Sequence, residues 1–377
     1  MPKTQRADAE GESLTTSLHT FEEILQQPLL WPDTVDRVRA AAQSHLRERL
    51  ARSRVLLTGA GTSAYAAEAI AAAWPGAVAI PTTDLLVDLQ RYLSEVDVVI
   101  SLARSGNSPE SAAVVQHVRA ARREILQLAI ICNEKSALSE SGLDGVIVLD
   151  PRTNDRSLVM TSSFSNLVLA GLTLAQPDAV AQVVSSVSNK AGKMLAAIDG
   201  KCKHIAADVR DRVAILASSP FHGWCSEAGL KLLEMTAGRF PILVDTYLGL
   251  RHGPMSFVKT DTLVLCLLSS DPVRRLYEED LIRELRTKKL GRLVGIDGST
   301  TVQNVAGERE FFDEALPAVA PDLPDELRTP FEIVIPQFLG LHLSLRIGLN
   351  PDNPSPEGII NRVVQGVRIH PATVSEG

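Results

Sequence analysis

One order of elements occurs twice along this chain, and nothing else in it constrains the fold as strongly. An apolar run, Arg54-Val-Leu-Leu-Thr58, breaks into Gly59-Ala-Gly-Thr-Ser63, and a small-residue helix over Ala64 to Trp74 follows. The short run Ala77 to Ile80 comes next, then the buried run Val96 to Leu102. That run breaks into Ala103-Arg-Ser-Gly-Asn-Ser-Pro-Glu110 ahead of a helix reaching Arg123, and the strands Leu126 to Cys132 and Val146 to Leu149 complete the set. The rhythm restarts with the strand Val213 to Ala217, the loop Ser218 to Gly223 and the helix Trp224 to Ala237. The strands Ile242 to Val244 and Thr262 to Ser269, the helix Tyr277 to Lys288 and the strand Leu293 to Ile296 follow. Strands alternating with helices make βαβ units and a mostly parallel sheet. The same order twice predicts a duplicated doubly wound α/β fold rather than two unrelated domains.

The 377 residues leave room for two such units. A hydrophobic fraction of 45% suffices for a large core. The net charge of −7 argues against general nucleic-acid binding, which needs a basic surface. Cys132, Cys202, Cys225 and Cys266 are far apart and form no CxxC pair, so a zinc knuckle or dithiol motif is not expected. The N-terminus lacks a basic start followed by an apolar run, and no apolar stretch reaches the ~20 residues that span a bilayer. The expectation is a reduced, soluble, cytoplasmic protein without membrane or nucleic-acid partners.

Four regions are expected: a helical leader (1–50), a first domain (51–195), a second domain (196–349) and a tail (350–377). Residues 1–13 read as frayed, and helical spacing runs from Thr15 to Arg52 on both sides of Trp31-Pro32. Ser157 to Leu174 reads as a long apolar helix capped near Asn154 or Asp155. Residues 300–330 are acidic and proline-rich and read as a connection. Phe331 to Ile347 reads as a helix with Pro336 at its start.

Two strand-to-helix loops suit an anion. In Gly59-Ala-Gly-Thr-Ser63 the glycines let backbone approach a ligand, and the helix start offers free N–H groups. The Thr62 and Ser63 hydroxyls add donors. The loop lacks the GK[ST] of a nucleotide P-loop, and no acidic residue closes the next strand. Ser105-Gly-Asn-Ser108 is a second hydroxyl-rich loop in the same sheet, and parallel strands place both at their carboxyl ends. Together they favour the monophosphate of a small molecule. Arg104 either adds a cation there or pairs with Glu110. The second-half loop, Ser218 to Gly223, lacks the glycine pattern, so one phosphate site per chain is expected.

A carboxylate-bearing helix and a histidine turn follow. Glu227, Lys231 and Glu234 stand at i, i+4 and i+7 and share roughly one helical face. His252 lies in the turn Leu250-Arg-His-Gly-Pro254. A carboxylate beside a histidine is a minimal kit for moving a proton on and off carbon. The plainer alternative is a solvated Glu/Lys stripe and an idle histidine. His370 is read as an idle surface histidine.

The two loops resemble those of sugar isomerase (SIS) domains, and their duplicated setting resembles the isomerase half of glucosamine-6-phosphate synthase. Asn154-Asp-Arg…Met160-Thr-Ser-Ser-Phe164, Glu227 to Gly238, Leu250 to Pro254, Ser270-Asp-Pro272 and Asn350-Pro-Asp-Asn-Pro…Asn361 to Val367 are similar more specifically to the AgaS group. These are galactosamine-6-phosphate deaminase/isomerases, often labelled tagatose-6-phosphate ketose/aldose isomerases. The resemblance runs from about residue 15 to the tail. It implies two tandem SIS domains with a leader and a tail. It implies that Gly61, Thr62, Ser63, Arg104, Ser105 and Ser108 surround the sugar phosphate. Glu234 matches the carboxylate that shuttles a proton between C1 and C2. His252 matches a ring-opening histidine lent by the neighbouring subunit, which implies a homodimer or a dimer of dimers. Glu227 and Lys231 become supporting residues. Where the synthase tail carries a lysine, this chain has Arg362-Val-Val-Gln365, so Gln365 is the candidate tail contribution. The implied reaction is galactosamine 6-phosphate plus water giving tagatose 6-phosphate and ammonia, with no metal and no organic cofactor. A plain aldose–ketose isomerase and a non-catalytic phosphosugar sensor are the rivals.

Overall fold

A computed structural model describes residues 18–297, 311–355 and 357–370. The first half carries α1 (His19–Ala41), α2 (Ser44–Ala51), β1 (Val55–Thr58), α3 (Thr62–Ala73), β2 (Val78–Ala79), α4 (Thr82–Val87) and α5 (Leu89–Leu93). It continues with β3 (Val98–Ala103), α6 (Pro109–Ala121), β4 (Leu126–Ile131), β5 (Gly145–Val148) and α7 (Ser162–Ala175). After α8 (Pro177–Ala207) the second half runs through β6 (Val213–Ala217), α9 (His222–Met235), β7 (Ile242–Asp245) and α10 (Tyr247–Leu250). It ends with β8 (Leu263–Leu267), α11 (Pro272–Thr287), β9 (Arg292–Asp297), β10 (Glu314–Pro317), α12 (Asp325–Glu332) and α13 (Val334–Arg346).

The two five-stranded sheets repeat one topology. The first has the order β2-β1-β3-β4-β5 and the second β10-β9-β8-β6-β7, so each strand has a counterpart in the other half. Every strand pair is parallel. The central strands β1, β3, β6 and β8 are wholly buried and read as unbroken apolar runs because helices cover both faces. From β1 the chain winds outward to β2 and from β3 the opposite way to β4 and β5, so the winding reverses between the parallel neighbours β1 and β3. That switch point leaves a crevice beyond their carboxyl ends, between the two loops. This is the duplicated doubly wound α/β architecture expected from the order of elements.

Five elements differ from expectation. The apolar helix after Asp155 starts at Ser162, not Ser157. Asp155 caps it from outside: its carboxylate accepts from the N–H groups of Thr161, Ser162 and Ser163 at 2.9, 3.1 and 2.9 Å. The 31-residue α8 has no counterpart in the sequence reading, and the expected boundary between residues 195 and 196 falls inside it. β10 and most of α12 lie in the segment read as a connection, because β10 is short and partly exposed and α12 buries charged residues among its apolar ones; residues 298–310 of that segment are outside the described residues. The leader helix α1 runs unbroken through Pro28 and Pro32. Each proline forgoes a backbone hydrogen bond, and burial of Leu30, Trp31 and Val35 beside them offsets the loss.

α1, α3, α7, α8, α9 and α13 form the centre, and a single apolar cluster draws residues from both sheets. Trp31 meets Phe331 edge-on at 5.0 Å and donates through its indole N–H to Ser165 Oγ. α3 and α9 cross so closely that a Cβ at Gly223 would lie 2.5 Å from the Tyr65 carbonyl oxygen. That contact is what brings the carboxylate helix against the start of the phosphate-loop helix. All four cysteines are free and buried, and burial pushes each thiol above its ordinary range. Among the described residues no helix is long and apolar enough to cross a membrane.

Candidate functional site

A cavity of about 380 Å³ opens at the switch point of the first sheet. Its floor is the β1 loop, Ala60 to Ser63, and the β3 loop, Arg104 to Ser108. Gly61 holds φ +55°, a left-handed turn that side chains resist, and this turn starts α3. α3 and α6 both begin without a side-chain cap. Ser63 N and Ser111 N bond to the Ala60 and Ser108 carbonyls and Pro109 has no N–H, which leaves the Thr62 and Glu110 N–H groups as the free donors of the two helix starts. The Ser63 and Ser108 hydroxyls make no hydrogen bond among the described residues, and Ser105 Oγ accepts only from Asn107 N at 3.3 Å. Donors without acceptors, at two helix starts, can hold a phosphate.

One wall comes from α9. Glu234 lines the cavity with 23% of its side chain exposed. Lys231, fully buried, donates to Glu234 Oε2 at 2.6 Å and to Thr62 Oγ1 at 3.2 Å, and stands 3.4 Å from Glu227 Oε1. The other Glu234 oxygen accepts no hydrogen bond from the described residues. Burial alone would lower the Lys231 ammonium; Glu227 and Glu234 together hold it above its ordinary value. Glu227 is buried with neither oxygen hydrogen-bonded, and burial pushes its carboxyl up to about 8, against the pull of Lys231. The trio is therefore a buried acid pushed up by its surroundings, a buried cation and one cavity-facing carboxyl group. Its spacing was visible in the sequence, but the burial that makes Lys231 a fixed tether was not.

The roof is the tail. Ile359 to Arg362, Val364 and Gln365 line the cavity. Arg362 donates through Nε to the Asp155 carbonyl at 2.9 Å and through Nη2 to Asn154 Oδ1 at 2.6 Å. Arg104 completes the clip. It donates to the carbonyls of Ser157 and Leu158 at 3.1 and 2.9 Å and to that of Arg362 at 2.8 Å. Arg104 makes no ion pair with Glu110, so that alternative falls: its guanidinium turns away from α6 toward three carbonyls. The leader reaches the same segment through Glu23, which accepts from Arg156 N at 2.6 Å and from Ser157 Oγ at 2.5 Å.

The cavity thus gathers Gly61, Thr62, Ser63, Arg104, Ser105, Ser108, Glu234 and Gln365. His252 is exposed in the turn after α10 and does not line it. His370 is exposed and also outside it. Ser111 and Leu158 line it without having been singled out in the sequence, while Met160 and Asn361 entered there only within the motifs that carry the family resemblance. Among the described residues no group of three or more His, Cys, Asp or Glu side chains could hold a metal ion.

No family model matches the chain. The D-galactosamine-6-phosphate deaminase AgaS of Escherichia coli is 34% identical, over 94% of this chain and 96% of that protein. The crystal structure of tagatose-6-phosphate ketose/aldose isomerase from Escherichia coli superposes with a TM-score of 0.82 at 31% identity, covering 95% of this chain and 98% of that one. The C-terminal domain of glucosamine-fructose-6-phosphate aminotransferase from Francisella tularensis shares the fold, with a TM-score of 0.71 at 15% identity over 87% of this chain and 96% of that one. Identity at this level over nearly the whole length settles the family: the chain belongs to the AgaS family of phosphosugar deaminase/isomerases.

Proposed function

We propose that the chain converts galactosamine 6-phosphate and water to tagatose 6-phosphate and ammonia, without a cofactor, in the cytoplasm. The observation that carries this reading is the Glu234 carboxylate in one cavity with two uncapped, hydroxyl-rich helix starts. The names of the relatives support the substrate. Four buried, unpaired thiols suit a reducing compartment.

Ser63, Ser105 and Ser108 hold the phosphate with the free Thr62 and Glu110 N–H groups at the starts of α3 and α6. Glu234 takes the C2 proton, which the neighbouring aldehyde acidifies. The C1 oxygen gains a proton, giving an enolamine. Return of the proton to C1, with loss of one proton from nitrogen, leaves a 2-imine. Water adds at C2 and ammonia leaves, so the C–N bond is hydrolysed. Lys231 fixes Glu234 from behind. Arg104 holds the tail rather than the phosphate, since its terminal nitrogens already serve three carbonyls. Gln365 stands where the tail meets the sugar.

His252 acts in a partner's cavity within a homodimer or a dimer of dimers. The exposed apolar side chains Leu233, Val244 and Leu248, on α9, β7 and α10, the elements that carry or lead from Glu234 to the His252 turn, suit such an interface. Mixing inactive Glu234→Gln and His252→Ala proteins under subunit exchange is expected to restore about a quarter of wild-type activity. No recovery would place the histidine in its own chain's site or outside the reaction. The substrate itself is tested by ammonia release from the galacto and gluco 6-phosphates and from unphosphorylated galactosamine. Loss of the phosphate is expected to lower kcat/KM by at least about 1000-fold; equal turnover would overturn the phosphate-loop assignment.

A further inference from the structure

Because the two sheets share one topology, their loops correspond position by position. Val55 pairs with Val98 in the first sheet and Val213 with Leu263 in the second. Counted from those pairs, Ser269 and Ser270 are the counterparts of Arg104 and Ser105. Both loops enter a helix with proline in its first turn, α6 at Pro109 and α11 at Pro272.

The first loop is open, and the second is filled by carboxylates. Asp271 caps α11, accepting from Val273 N and Arg274 N at 2.9 Å each. Glu278 accepts from Ser269 N at 2.9 Å. Asp325, from the start of α12, occupies the middle. Its Oδ1 accepts from Ser270 N and from Ser270 Oγ, both at 2.8 Å, and from Arg328 Nη1 at 3.1 Å. Its Oδ2 accepts from Ser269 Oγ and from Arg274 Nη1, the latter at 3.1 Å. Two hydroxyls, a backbone N–H and two guanidinium groups therefore converge on one carboxylate with no exposed surface. Arg328 is only 2% exposed, and its Nε has no partner, so the donors there exceed what two oxygens take up. Burial works against the Asp325 charge, yet the serine donors and Arg328 hold its carboxyl below its ordinary value.

We propose that this loop is a second, latent site for a phosphate-type oxyanion, filled by the chain's own Asp325 carboxylate. A donor set of hydroxyls, loop N–H and forked arginines is one that recognises a phosphate group. The counterpart segment of the first half shows why only one site is open. There, the residues after β5 reach the β3 loop through the Ser157 and Leu158 carbonyls, which Arg104 engages, and the serines stay free. In the second half the residues after β10 send a side chain into the loop instead. Ser270 and Arg274 are exposed, so loss of the Asp325 side chain opens the site to solvent. Glu278 and Glu332 also face it. Glu332 accepts from Val319 N and Ala320 N and lies 3.5 Å from Arg328, so an incoming anion meets residual negative charge. Binding on the order of millimolar is therefore expected.

The test is Asp325→Ala titrated with inorganic phosphate beside the wild type. Calorimetry is expected to show one more site per chain in the variant than in the wild type, and adding Arg274→Gln is expected to remove it. Phosphate, against chloride at equal ionic strength, is expected to raise the variant's Tm by about 2 °C more than the wild type's at a tenfold excess over Kd. A variant that folds only in phosphate also supports the proposal. Equal stoichiometry with an equal phosphate effect on Tm would overturn it. So would a variant no better folded in phosphate than in chloride.

Discussion

Glu234→Gln is expected to lower kcat for ammonia release by about 1000-fold while leaving KM for the sugar phosphate within about twofold. Glutamine keeps the shape of the side chain and can still accept from Lys231, but it cannot take a proton from carbon. The phosphate donors of the β1 and β3 loops lie on other elements and keep their geometry. Substrate should therefore bind and wait. The variant is expected to stay folded, because Lys231 keeps Thr62 and Glu227 as neighbours. A thermal scan alongside the kinetics separates lost chemistry from lost structure. A kcat within tenfold of wild type would move the proton transfer to another group.

The second large effect concerns stability and pH. Burial pushes Glu227 from 4.5 to about 8 in the folded protein. The native state then keeps a proton that the unfolded chain gives up between those values. This contribution is fully present below about pH 4.5, falls as pH rises and is gone above about pH 8, with a slope reaching about 1.4 kcal/mol per pH unit. Glu227→Gln keeps the volume and stays neutral, so it is expected to flatten the decline and to be more stable than wild type at pH 8. Glu23, pushed up to about 7 by burial and by nearby Asp155, adds its own slope to both proteins, and the difference isolates Glu227. Urea unfolding at three pH values across this range checks it. Parallel curves would mean that Glu227 is ionised against Lys231 throughout.

The sequence made the sheets legible because central parallel strands are continuous apolar runs, and β1, β3, β6 and β8 all are. It made the two loops legible because glycine and hydroxyl residues break those runs at a strand's carboxyl end. β10 stayed hidden since Glu314 to Pro317 is short, partly exposed and set in acidic, proline-rich sequence. α8 was readable, since Val180, Val184, Val187, Ala191, Leu195, Ile198, Cys202 and Ile205 recur at helical spacing and are its buried face, but serine, lysine and glycine on its exposed side mask that stripe. The Glu227, Lys231 and Glu234 spacing was readable, yet its meaning depended on burial. On a surface the same three residues would be a solvated stripe. Packed against α3, they become a tether for one carboxylate. Arg104 shows the converse: its place in a phosphate-type loop suggested a ligand, while its partners lie about fifty residues on and in the tail, beyond any local pattern.

The most direct measurement is the yield of ammonia and ketose when the wild-type chain is given galactosamine 6-phosphate. The expected result is ammonia and tagatose 6-phosphate in equal amounts, both lost with Glu234→Gln. Ketose formed from an aldose 6-phosphate, with no ammonia from either amino sugar phosphate, would contradict it and leave a plain isomerase in its place.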